Sequence, residues 1–98
     1  MAAELFIDLD SFDLSKTLYD HDAIYEILPQ RHEFEQLDRI VHMDKDEGLA
    51  IAVREVREDE FWVKGHIPGR PLLPGVLMLE TAAQMAAFLY QLISPDDR

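Results

Sequence analysis

His66 and Glu80 bracket the segment GHIPGRPLLPGVLMLE, which carries the chain from a proline-rich loop into an apolar helix that contains a carboxylate. From Val76 to Ile93 the sequence reads VLMLETAAQMAAFLYQLI, with Glu80 its single charge. An ionised carboxylate buried without a partner is costly, so a chain that keeps one there has a use for it. Neutral imidazole accepts a proton near pH 7, and a carboxyl group in apolar surroundings holds a proton that an exposed one loses. One base beside one acid is the pairing that dehydration of a β-hydroxyacyl thioester requires. His66 would remove the α-proton and Glu80 would protonate the departing β-hydroxyl. The enolate-like oxygen that develops needs donors, which the free N–H groups at the helix start, near Gly75 and Val76, would supply with a favourable dipole. Gly75 has no side chain to obstruct that approach.

Each of these residues also has a structural reading. A lone histidine at a strand end is more often a satisfied structural residue than a catalyst, and turns rich in proline and glycine are usually only turns. Glu80 could bond to its helix neighbours or sit at a wet dimer seam. Gln84, one turn after Glu80 on the same face, could reach into a site but fits a helix-packing contact better. His21, His32 and His42 have no ligand-spaced partner, so they read as structural or solvent-facing, and no metal is expected.

The elements that must position the pair follow from pattern. Residues 1–22 form an N-terminal arm with no clean period, and residues 23–98 carry the domain. Asp20 or Asp22 caps a short helix through Leu28 that Pro29 ends. Leu37–Met43 and Gly48–Val56 alternate as strands, with DKDEG between them as a hairpin loop. On the first strand, Leu37, Arg39, Val41 and Met43 should face opposite to Asp38, Ile40 and His42. Phe61–Lys64 reads as a third extended piece leading into Gly65 and His66. Pro68, Pro71 and Pro74 stiffen the loop that follows. The helix starts near Gly75, and its apolar girth predicts burial on several sides.

The chain has 98 residues, enough for one small domain, and oligomerisation would help such a domain reach stability. It has no cysteine, which removes disulfides, thiolate nucleophiles and Cys-ligated metals. The 20 acidic against 9 basic residues, a formal charge of −11, oppose a nucleic-acid partner. MAAELFIDLD carries acids where a secretory signal would carry bases, and the reading is a soluble, cytoplasmic protein.

GHIPGRPLLPGVLMLETAAQ resembles the active-site segment of the FabZ-type 3-hydroxyacyl-[acyl-carrier-protein] dehydratases, and ILPQRHEFEQLDRIV resembles their leading segment, with Asp38 and Arg39 as the Asp-Arg pair. The likeness runs from about Ile24 to Leu92. It implies an α+β hot-dog fold, a long helix packed on an antiparallel sheet, with the C-terminal strands missing from this chain. His66 and Glu80 would be the catalytic pair, shared between two subunits. The Leu72 carbonyl would orient the imidazole, and the Gly75 amide would polarise the thioester carbonyl. Glu80 and Arg70 distinguish the chain from the isomerising sister group, which has an aspartate and Gly-Asp-Pro there. No cofactor is implied. The expected partners are an acyl-carrier-protein thioester, met through Lys64, Arg70, Arg54 and Arg57, and a second copy or a separate chain supplying strands. Gln30, His32, Glu33, Glu35 and Gln36 depart from the family pattern, placing polar groups where tunnel walls or dimer contacts are apolar.

The resemblance therefore predicts dehydration of 3-hydroxyacyl thioesters to trans-2-enoyl thioesters in fatty-acid synthesis. A non-catalytic acyl-binding or heterodimerising half is the alternative that the short C-terminus suggests, and a hot-dog thioesterase is a third.

Overall fold

A computed structural model describes residues 7–94. Helix α1 spans His21–Ile27, strand β1 Arg39–Asp44, strand β2 Leu49–Val53 and helix α2 Gly75–Ile93, with short 3-10 turns at Leu9–Ser11 and His32–Phe34. Of the two capping candidates, Asp20 closes α1: its carboxylate accepts the Ala23 N–H at 2.9 Å. Asp22 lies in the first turn, where a negative charge suits the helix dipole. The helix stops at Ile27, just short of Pro29, with the Leu28 N–H returned to the Ile24 carbonyl at 3.0 Å.

β1 and β2 form the expected antiparallel hairpin. Its turn is held by Asp44, whose Oδ1 accepts from the N–H groups of Asp46 and Glu47, and by Gly48 at φ 65°, a left-handed conformation that glycine adopts without strain. Strict alternation along β1 does not hold. Arg39 pairs with Val53 and Ile40 with Ala52, but His42 then pairs with Ile51, so the register shifts around Val41. This bulge puts both Ile40 and Val41 out of water and lets Met43 join the core face that Ile40 occupies.

Phe61–Lys64 is not a strand; residues 58–65 form a run of turns. The apolar, β-prone Phe-Trp-Val is overridden by the Glu60 carboxylate, a hub for nearby donors. Glu60 Oε1 accepts from Arg54 at 2.5 Å and from the Trp62 indole at 3.3 Å, and Oε2 accepts from the Arg57 N–H at 2.7 Å. The Val63 N–H closes on the Glu60 carbonyl, and the Gly65 and His66 N–H groups both reach the Trp62 carbonyl. Burial opposes ionisation of Glu60, but these hydrogen bonds and the Arg54 charge together hold its carboxyl below the ordinary value of 4.5. A lowered folded-state value means stability that is present above about pH 4.5 and lost as the pH falls through the folded value. The wild-type chain should therefore lose stability below pH 4.5 more steeply than Glu60→Gln. Urea unfolding between pH 7 and 3, followed by fluorescence of Trp62, reads this, and equal slopes would refute it.

The core is small. Ile24 and Tyr25 from α1, Leu28 just after it, Leu37 just before β1, Ile40 from β1 and Phe88 from α2 form one buried cluster. The arm adds to it: the Leu18 and Tyr19 N–H groups reach the Ile40 carbonyl, the Ile40 N–H returns to Tyr19, and the Tyr19 ring meets Phe88 edge-on at 5.1 Å. On α2, Leu77, Gln84 and Phe88 are buried, the i, i+7, i+11 spacing of a single stripe. The expected burial of α2 on several sides is not met within this chain, because two strands and one short helix cover one face of a rod about 28 Å long. Val76 and Leu79 remain 74% and 73% exposed. By length and composition α2 would also suffice to cross a membrane, yet Phe88 on it is fully buried, as on a core helix.

Candidate active site

The loop between Trp62 and α2 supplies the candidate base. Turns with their own hydrogen bonds shape it: the Arg70 N–H reaches the Ile67 carbonyl at 2.9 Å, the Leu72 N–H reaches the Arg70 carbonyl at 2.7 Å, and Gly69 takes φ 84°. This folding returns the Leu72 carbonyl to within 2.8 Å of His66 Nδ1. A carbonyl can only accept, so Nδ1 carries a proton, and in the neutral ring Nε2 is the nitrogen with the lone pair. The orienting contact expected between Leu72 and His66 is thus made within the loop. His66 is itself exposed.

Glu80 sits on α2, half-buried, and accepts a 2.8 Å hydrogen bond on Oε2 from Gln84 Nε2. It lines a cavity of about 330 Å³ whose other walls are Phe34, Phe61, Trp62, Pro74, Val76 and Leu77. Apart from Glu80 these side chains are apolar or aromatic, a lining suited to a hydrocarbon chain with one polar group at its wall. A larger cavity of about 630 Å³ lies between the arm and β1, and neither His66 nor Glu80 lines it. Among the described residues, no hydrogen bond or ion pair joins His66 to Glu80 within the protomer.

Gly75 opens α2 with Pro74 as its cap residue, and the first helical bonds come from the Leu77 and Met78 N–H groups to the Pro74 carbonyl. No described group accepts from the N–H of Gly75 or Val76. A Cβ on Gly75 would meet nothing within 4 Å, so the packing of this chain does not itself demand glycine there.

Sequence reasoning underrated Gln84. It is 1% exposed and makes four hydrogen bonds: it accepts on Oε1 from the Tyr25 hydroxyl at 2.7 Å and the Gln36 N–H at 3.3 Å, and donates from Nε2 to the Phe34 carbonyl at 2.7 Å and to Glu80. It is both a joint between α1 and α2 and a neighbour of the candidate acid. A glutamine among the apolar residues of α2, one turn from Glu80, was the available signal. Burial pushes the Tyr25 phenol above its usual value, against the opposing Leu37 N–H, so it remains a protonated donor.

The basic residues divide. Arg54 is held in the fold by Glu60 and Gln36 Oε1, while Arg57 is exposed but paired with Asp38 at 2.7 Å and Glu55 at 3.5 Å, so two of the four expected carrier contacts already have acidic partners. Lys64 and Arg70 are exposed, on either side of His66. Of the polar departures at 30–36, Gln36 is buried against Arg54 and Glu35 pairs with His21 at 3.0 Å, whereas the buried Oε1 of Gln30 has no hydrogen-bond partner among the described residues.

The FabA-like domain matches residues 28–98, which include the loop, both strands and α2. The chain belongs to the FabA-like family. Its long helix against an antiparallel hairpin is the hot-dog arrangement of that family. Curated relatives named 3-hydroxyacyl-[acyl-carrier-protein] dehydratase FabZ include one from Protochlamydia amoebophila, 38% identical over 79 residues (81% of this chain, 51% of the relative). Another, from Variovorax paradoxus, is 41% identical over 87 residues (86% of this chain, 57% of the relative). A third, from Geobacter metallireducens, is 37% identical over 82 residues (84% and 54%). The chain spans about half the length of these relatives.

Proposed function

We propose that this FabA-like chain removes water from 3-hydroxyacyl thioesters carried by an acyl-carrier protein, in fatty-acid synthesis in the cytoplasm. The 2.8 Å contact between His66 Nδ1 and the Leu72 carbonyl carries the reading, because it leaves the other ring nitrogen, Nε2, as a base. His66 Nε2 takes the α-proton, and the electron pair moves toward the thioester carbonyl. The N–H groups of Gly75 and Val76 stabilise the oxygen as charge develops on it. As the carbonyl re-forms, the Cβ–O bond breaks, and Glu80 supplies the proton with which the hydroxyl leaves as water. The acyl chain lies along the apolar cavity at whose wall Glu80 stands. No cofactor takes part, since the base, the acid and the oxyanion donors are all groups of the protein.

His66 of one protomer works with Glu80 of another, so the active unit is at least a dimer, and the exposed Val76 and Leu79 face of α2 is available for that association. The anionic carrier docks on Lys64 and Arg70, the exposed cations beside His66. Hydration of a crotonyl thioester, the reverse reaction, tests the reading. Loss of the enoyl thioester absorbance on adding the chain is expected. No turnover would favour an acyl-binding module, and release of free thiol would indicate a thioesterase instead.

A further inference from the structure

The orientation of the Gln84 amide follows from neighbours whose roles are fixed. The Leu37 N–H lies 2.8 Å from the Tyr25 hydroxyl and can only donate, so the phenolic oxygen accepts there and its own proton points onward to Gln84 Oε1. The Gln36 N–H meets that same oxygen. On the opposite side, the Phe34 carbonyl can only accept, which requires Nε2 there and brings its second hydrogen onto Glu80 Oε2. A flipped amide would set N–H against N–H at one end and oxygen against carbonyl oxygen at the other, with Tyr25 and Gln84 both out of reach of water.

We propose that Tyr25 is a positioning residue for Glu80: its hydroxyl, anchored by Leu37, locks the Gln84 amide so that Oε2 of Glu80 always has a donor and Oε1 is left to face the substrate. The inference rests on the reading of Glu80 as the acid of the dehydration. It explains why a phenol and an amide occupy the α1–α2 contact, where two apolar side chains would pack without a polar group to satisfy. The direction of the network matters more than its strength. The path from the Leu37 N–H through the Tyr25 hydroxyl and the Gln84 amide runs from a backbone donor that cannot reverse to the Glu80 carboxylate that must be aimed, and the Phe34 carbonyl fixes the amide beside it.

The test is Tyr25→Phe in the whole chain, which keeps the ring and removes only the hydroxyl. For crotonyl thioester hydration, kcat should fall about tenfold while KM stays within twofold, because Glu80 is misaimed in the transition state and substrate binding is untouched. Ile24→Val, which trims the same core without touching the network, should leave kcat unchanged. A readout independent of turnover is the Gln84 side-chain amide in a nitrogen-15 NMR spectrum. In the wild-type chain its two protons should exchange slowly with solvent and show cross-relaxation to the Glu80 γ-protons, and in Tyr25→Phe both signatures should be lost. Unaltered Gln84–Glu80 cross-relaxation in the variant would overturn the proposal, as would equal kcat losses in Tyr25→Phe and Ile24→Val. Rapid exchange of the Gln84 amide in the wild-type chain would also overturn it, whatever the variant's fate. If the wild-type chain hydrates no thioester, the dehydratase reading fails, and the amide spectra still decide whether Tyr25 aims Gln84 at Glu80.

Discussion

His66→Ala should lower kcat for thioester hydration by about 10³-fold and leave the unfolding midpoint close to that of the wild type. General-base catalysis by a positioned side chain contributes roughly 10²–10⁴-fold, and the imidazole is the only side chain the loop offers for that role. Stability should be spared because His66 is exposed and its ring has a single described hydrogen bond, to the Leu72 carbonyl. The loop keeps its shape without the ring, through the Arg70 and Leu72 turn bonds and the His66 N–H on the Trp62 carbonyl, which the substitution does not touch. A variant with kcat within threefold of wild type would remove His66 from the chemistry. A fall in both kcat and melting temperature would instead mark it as a structural residue.

Much of this site was legible because it is local. The cap of α1, the hairpin turn at Asp44–Gly48 and the start of α2 at Gly75 each depend on residues within about six positions of one another, where propensity and turn chemistry act directly, whereas the contact of the Leu72 carbonyl with His66 was expected only from the family resemblance. The misread segment, Phe61–Lys64, failed for a reason the local pattern cannot contain. Its apolar residues favour a strand, but the Glu60 carboxylate collects donors from Arg54, Arg57 and Trp62 and draws the segment into turns. The bulge at Val41 escaped for a related cause, since alternation in one strand says nothing about an extra residue unmatched in its neighbour. Tyr25 and Gln84 lie 59 positions apart, and their hydrogen bond exists only once α1 and α2 are packed. The exposure of Val76 and Leu79 marks the limit of the same pattern: the apolar girth of α2 predicts burial on several sides, and the described residues cover only one of them.

The second large effect concerns the proposed dimer. His66 and Glu80 form no bond within one protomer, and the proposed elimination needs both the oriented imidazole and the carboxylate at the wall of the apolar cavity. In the proposed reaction the two act from different subunits of one dimer. His66→Ala and Glu80→Gln should then each be inactive alone but complement one another, because a mixed dimer retains one site with His66 from one chain and Glu80 from the other. Random re-pairing makes half of the dimers mixed, each with one of its two sites intact, which sets the expected recovery at about a quarter of wild-type turnover. The most direct measurement is therefore the rate of crotonyl thioester hydration after the two purified variants are unfolded together and refolded as a mixture. Recovery near a quarter of the wild-type rate is the result predicted here, and a mixture no more active than either variant alone would contradict it.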